Sequence, residues 1–173
     1  MPNDTRKVPY ALPQPWGMRP DLVIPGALDL DGDERLWVPQ APDVSFRPLL
    51  FDVTGGSYVN LLRVRRAGVL SRHRHLGAVQ AFVLRGRWQY LEHDWVAEPG
   101  SFVFEPPGET HTLVVPEDVP EMITLFHVTG GYVYVTPTGE ATGCEDVFTK
   151  LELARRHYLS NGLGSAALDA LIR

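Results

Sequence analysis

Gly68-Val69-Leu70-Ser71-Arg72-His73-Arg74-His75 reads as a β-strand. Residues two apart on a strand project to one face, so His73 and His75 point together while Arg72 and Arg74 face the other way. Two imidazoles so placed can bind one divalent ion side by side; a helix would need a spacing of four. A bare His-x-His also occurs as a solvated polar pair, so a second stretch matters: Gly100-Ser101-Phe102-Val103-Phe104-Glu105-Pro106-Pro107-Gly108-Glu109-Thr110-His111. Here a glycine opens a strand, Pro106-x-Gly108 forces a tight turn, and His111 starts the returning strand. Such a turn presents one ligand at a fixed point. The two stretches occur in order, with His111 36 positions after His75, a separation that holds two hairpins.

The surrounding sequence has the same texture. From Leu36 to about Val135, short runs rich in Val, Leu, Phe, Tyr, Trp and Thr are separated by turn signals such as Gly55-Gly56, Pro99-Gly100 and Gly130-Gly131. That spacing predicts an all-β sandwich or barrel, and no intervening helical pattern supports a parallel α/β sheet. The period changes afterwards. Val147, Phe148, Leu151, Ala154 and Tyr158 follow a 3.6 repeat, with acids before them and bases in the last turn, so a helix is expected over 147–158. Asn161-Gly162 ends it, and Ser165 to Ile172 suits one more short helix. Residues 1–34 hold six prolines and little periodicity, which predicts an extended arm wrapping a core or another subunit. One domain results: an arm over 1–35, a barrel over 36–140 and a helical segment over 141–173.

Composition narrows the function. The 173 residues carry 16 Lys and Arg against 21 Asp and Glu, a net charge of −5, so a general nucleic-acid affinity is not expected. Cys144, the single cysteine, excludes both an intramolecular disulfide and a cysteine-based zinc site. The opening residues lack an apolar core of the signal-peptide kind, and no run approaches the ~18 apolar residues of a membrane span. The expectation is a soluble cytoplasmic protein.

Six histidines are present. His93, in Glu92-His93-Asp94, reads as part of a polar turn and not as a ligand. His127 reads as a pocket-lining or core residue of undetermined parity, and His157 as a partner of a helix C-terminus. Gln80 shares a strand face with Phe82 and Leu84 and is expected to point inward. Trp88 and Tyr90 share another face and read first as core filling. Glu105, six residues before His111, is expected near the metal as a base or hydrogen-bond acceptor. The arginines around 63–74 read as salt-bridging.

With these residues in view, the chain resembles the cupin superfamily. Gly68, His73, His75 and Gly86 match its first motif, although four residues separate Gly68 from His73 where five are usual. Gly100, Pro106, Gly108 and His111 match the second, with Val115 where Asn is usual. Gln80 stands, four residues intervening after His75, where many cupins carry a ligand Glu. The resemblance therefore implies a double-stranded β-helix, or jelly-roll barrel, with a three-histidine face of His73, His75 and His111 and open positions for water, substrate and oxygen.

The match sharpens over Leu61–Arg65, Ser71–His75, Gly86–Ala97 and Phe104–Leu113, where the chain is similar to the 2,4'-dihydroxyacetophenone dioxygenase family. This implies a non-haem Fe(II) enzyme acting on a small aromatic hydroxy ketone and O2, giving 4-hydroxybenzoate and formate, with Glu105 and Gln80 beside the ligands. Another metal-dependent cupin, such as a diketone-cleaving oxygenase or an isomerase, and a non-catalytic sensor module are the other readings. A homodimer or higher homo-oligomer is expected from the arm and the sheet edges.

Overall fold

The computed structural model describes residues 7–173; the first six residues of the expected arm lie outside this range. Among the described residues, eleven strands form two antiparallel sheets. They are β1 (Val38–Ala41), β2 (Val44–Asp52), β3 (Ser57–Val64), β4 (Gly68–His75), β5 (Val79–Arg85), β6 (Gln89–Tyr90), β7 (Phe102–Glu105), β8 (Thr110–Val115), β9 (Met122–Thr129), β10 (Tyr132–Val135) and β11 (Ala141–Glu145). One sheet runs β1-β2-β3-β9-β5-β7 and the other β11-β10-β4-β8-β6. This is the all-β, cupin-like sandwich, and β11 carries it five residues past the barrel boundary expected at 140.

The sandwich forms because alternate residues on facing strands are apolar. On β5, Val79, Ala81 and Val83 are buried; on β8 and β9, Leu113, Val115, Met122, Phe126 and Val128 join them. A second cluster of Trp37, Leu49, Leu61 and Ile123 packs with Ile24, Ala27 and Leu30. Residues 24–34 thus close over their own barrel. Arg47 donates to the carbonyls of Gly26 and Asp29, and Arg63, lying 4.1 Å over the Trp37 ring, is held by Glu34. Residues 7–20 are exposed, with Trp16 fully so.

Two helices follow: α1 (Val147–Ser160) and α2 (Ser165–Asp169). Asp146 caps α1 in a reciprocal box with Thr149, satisfying amides that the first turn leaves unpaired. From the face of α1, Lys150 enters the barrel wall. Its Nζ lies 2.7 Å from Glu145 Oε2 and 2.6 Å from Gln40 Oε1, and the Glu145 oxygens also accept from Tyr132 and Tyr134. No helix among the described residues is long and apolar enough to cross a membrane.

Candidate metal centre

The register of β4 against β8 places His73 directly across from His111, and strand parity puts His75 on the same face. The turn between β7 and β8 locks this arrangement. Gly108, at φ +92°, adopts a backbone that a side chain would strain, and its N–H donates to the His75 carbonyl at 2.9 Å. The Pro106-x-Gly108 turn is therefore tied to the end of the strand that carries the other two histidines.

His73, His75 and His111 are all buried, with one ring nitrogen of each within 4.8 Å of the others. The Nε2 atoms of His73 and His75 are 3.0 Å apart. Two nitrogens bound at right angles to one ion, each at about 2.1 Å, stand about 3.0 Å apart, so this pair has the spacing of two ligands. The opposite sheet supplies a carboxylate. Glu105, at the end of β7, places Oε2 3.0 Å from His75 Nε2 and 3.6 Å from His111 Nε2, while Oε1 accepts from the Tyr90 hydroxyl at 2.8 Å. Glu105 Oε2 and His111 Nε2 are buried without a hydrogen-bond partner. A divalent cation held by the three imidazoles would satisfy His111 Nε2, and a hydroxyl bound beside it would satisfy Glu105 Oε2.

The electrostatics favour ligation. Burial, reinforced by the neighbouring His75 and His111 rings, holds His73 well below the usual imidazole range. Burial also lowers His111, to about 4, against the opposing pull of Glu105. Both therefore stay neutral, with lone pairs free, at neutral pH. Ser71 Oγ lies 3.0 Å from His73 Nδ1, leaving His73 Nε2 directed at the cluster. Tyr90 stacks on His111 at 3.6 Å and Tyr132 lies 5.0 Å from His73, fixing the rings.

His73 and His75 line a cavity of about 420 Å³ that runs between the sheets. Its walls include Leu62, Leu70, Leu113, Phe126 and Val128, with Asn60, Tyr132 and Arg66 as polar groups. The volume and mixed lining suit a small, mainly apolar molecule.

Gln80 is not part of this site. It does share a face with Phe82 and Leu84, but that face is the outer one: Val79, Ala81 and Val83 take the interior, and Gln80 Oε1 lies 3.4 Å from His127 Nδ1 outside the barrel. The half-exposed Phe82 makes both faces of β5 apolar, so periodicity alone misassigns them. Tyr90 is a cavity wall and carboxylate partner, whereas Trp88 fills the core and donates to Thr124. His93 pairs with Glu109, and His157 lies near the Arg35 carbonyl. Tyr132 and Glu109 were not legible as site residues, because each reaches the histidines only through a cross-strand or turn contact.

A sequence-family model described as the ChrR cupin-like domain matches residues 28–133. Among solved structures, an RmlC-like cupin from Ralstonia eutropha JMP134 is 30% identical, covering 73% of this chain and 83% of that one, at a TM-score of 0.68. A second cupin-fold protein of unknown function from the same organism is 24% identical over 69% of this chain and 75% of that one, with a TM-score of 0.66. An acetylacetone dioxygenase from Acinetobacter johnsonii is 14% identical over 85% of this chain and 97% of that one, with a TM-score of 0.64, a likeness of fold. No curated protein matches the chain. With its two-sheet sandwich and three-histidine cluster, the chain belongs to the ChrR cupin-like family.

Proposed function

We propose that this protein is a non-haem iron(II) dioxygenase that cleaves the bond between the carbonyl and hydroxymethyl carbons of 2,4'-dihydroxyacetophenone or a related 2-hydroxy ketone. Both atoms of O2 are retained, one in each product, as 4-hydroxybenzoate and formate. The observation that carries this reading is the buried cluster of three imidazoles, two of which line the cavity between the sheets, with the Glu105 Oε2 oxygen beside it. His73, His75 and His111 would hold the ion through Nε2. Iron(II), when bound, would supply Lewis acidity toward the hydroxy ketone and the means of activating O2.

The chain's own groups do the rest. Glu105 Oε2 is placed to take a proton from the substrate beside the ligands, and Tyr90 holds the other carboxylate oxygen at 2.8 Å so that Oε2 keeps its direction. Leu113, Phe126 and Val128 enclose the aryl ring and keep water from the reacting carbons. Tyr132, donating to Glu145, forms a rigid wall against His73.

Oxygen uptake and formate release from 2,4'-dihydroxyacetophenone by the iron-loaded protein test the proposal. Stoichiometric uptake is expected, abolished in His111→Ala and reduced by about 10²–10⁴ in Glu105→Gln with iron retained. A metal-loaded protein with no uptake would overturn the proposal and leave a metal-dependent cupin of another reaction type, and a protein that binds no metal would leave a non-catalytic module.

A further inference from the structure

His111 has both ring nitrogens buried and without a partner. Its plane is fixed by Tyr90, whose ring lies 3.6 Å away and within 8° of parallel. Nε2 faces Glu105 and the other two histidines, so it is the nitrogen offered to an ion. The proton of the neutral ring then resides on Nδ1, on the opposite side, and a buried N–H there requires an acceptor.

One carboxylate is placed to accept it. Glu109 Oε2 lies 3.9 Å from His111 Nδ1, beyond hydrogen-bond length. Glu109 Oε1 lies 2.8 Å from His93 Nε2, and His93 stacks on Trp95 at 5.3 Å and 17°. The other nearby carboxylate, Glu92, is already engaged by the Thr112 N–H and hydroxyl at 2.7 and 2.8 Å. Glu109 is about one-third exposed, so its side chain has room to rotate toward the ring.

We propose that Glu109 is a positioning residue that accepts the Nδ1 proton of His111 when the three histidines hold a divalent ion, with His93 and Trp95 bracing the carboxylate from behind. Removing this acceptor leaves the ligand's N–H unpaired and its basicity lower, which weakens the metal. The inference rests on the metal reading of the triad, but not on the oxygenase chemistry.

Zinc affinity, measured by chelator competition, and the His111 Nδ1–H resonance of the zinc-loaded, ¹⁵N-histidine-labelled protein test it. Glu109→Ala is expected to bind zinc about 10–100-fold more weakly and to lose the protected resonance to exchange. Glu109→Gln, which keeps shape and an amide oxygen acceptor, is expected to recover part of the affinity with a shifted resonance. Unchanged affinity and an unchanged resonance in either variant would overturn the proposal, so it stays testable if Glu109→Ala fails to fold. Wild-type protein that takes up no zinc would remove both this inference and the metal reading. Zinc uptake that depends on Glu109, in a protein inactive with iron, would support it and reject only the dioxygenase.

Discussion

His111 is held near pKa 4 chiefly by burial, and this makes the metal-free site a source of acid lability. An unfolded imidazole titrates near 6.5, so between about pH 6.5 and 4 the unfolded chain binds more protons than the folded one. Stability is therefore full above that window and falls as pH drops through it, by roughly 3 kcal/mol for His111 alone. The metal-free protein should melt at clearly lower temperature at pH 4.5 than at 7.5, and His111→Gln should flatten that dependence; a pH-independent melting temperature would contradict the assignment. At this scale the sequence was readable where strand parity and a turn fix direction, as for His73, His75 and His111. Parity gives which residues share a face but not which face is inside, and Gln80 shows the difference. Glu105 was legible as a carboxylate near the metal, but not by its contacts. Its contact with His75 depends on β7 belonging to the opposite sheet, a pairing that no local pattern encodes.

Beside its apolar packing, helix α1 carries a buried ion pair to β11, Lys150 with Glu145. Burial alone would raise the Glu145 carboxyl, and the Lys150 ammonium together with the two tyrosine hydroxyls overrides it, holding Glu145 below the usual carboxylate range. Lys150→Ala would strand Glu145 in the wall of the cavity. A loss of about 3–5 kcal/mol is expected, because removing one member of a buried pair leaves the other uncompensated. Lys150→Met combined with Glu145→Gln should recover much of it; chemical denaturation of the three proteins checks both outcomes, and a neutral Lys150→Ala would refute the account. The helix itself was readable from its 3.6 period and from the acid-to-base order along it, and it ends two residues later than expected, at Ser160. Its buried lysine was not, since a lysine among Val147, Ala154 and Tyr158 looks like an exposed position until its partners are known, Glu145 on β11 and Gln40, 110 positions away.

Over the whole molecule, two apolar features are exposed together. The outer face of β5 and β7 presents Phe82, Phe102 and Phe104, each about half exposed, and residues 7–20 expose Val8, Tyr10, Leu12 and Trp16. β7 is also an unpaired sheet edge, which folded proteins generally cover. We propose a homodimer or a multiple of one, with a solution mass of at least twice 19.3 kDa by light scattering. A monomeric mass at micromolar concentration would contradict it, and Phe102→Glu should shift a dimer toward monomer. Strand spacing was enough to indicate the two-sheet architecture. The path of residues 24–34 back over Trp37, Leu49 and Ile123 was not, because it is held by Arg47, Arg63 and Arg85, whose partners lie 18 to 54 positions away.

The function proposed for this site requires three imidazole nitrogens on one ion, and X-ray absorption at the metal edge reads this directly. Zinc is a redox-inert stand-in whose bonds to histidine are about 2.0–2.1 Å. The zinc-loaded protein should show a first shell with three imidazole nitrogens at that distance and the outer-ring scattering of histidine, falling to two in His111→Ala. A shell of water and carboxylate oxygens without imidazole scattering, or one unchanged by the substitution, would contradict it.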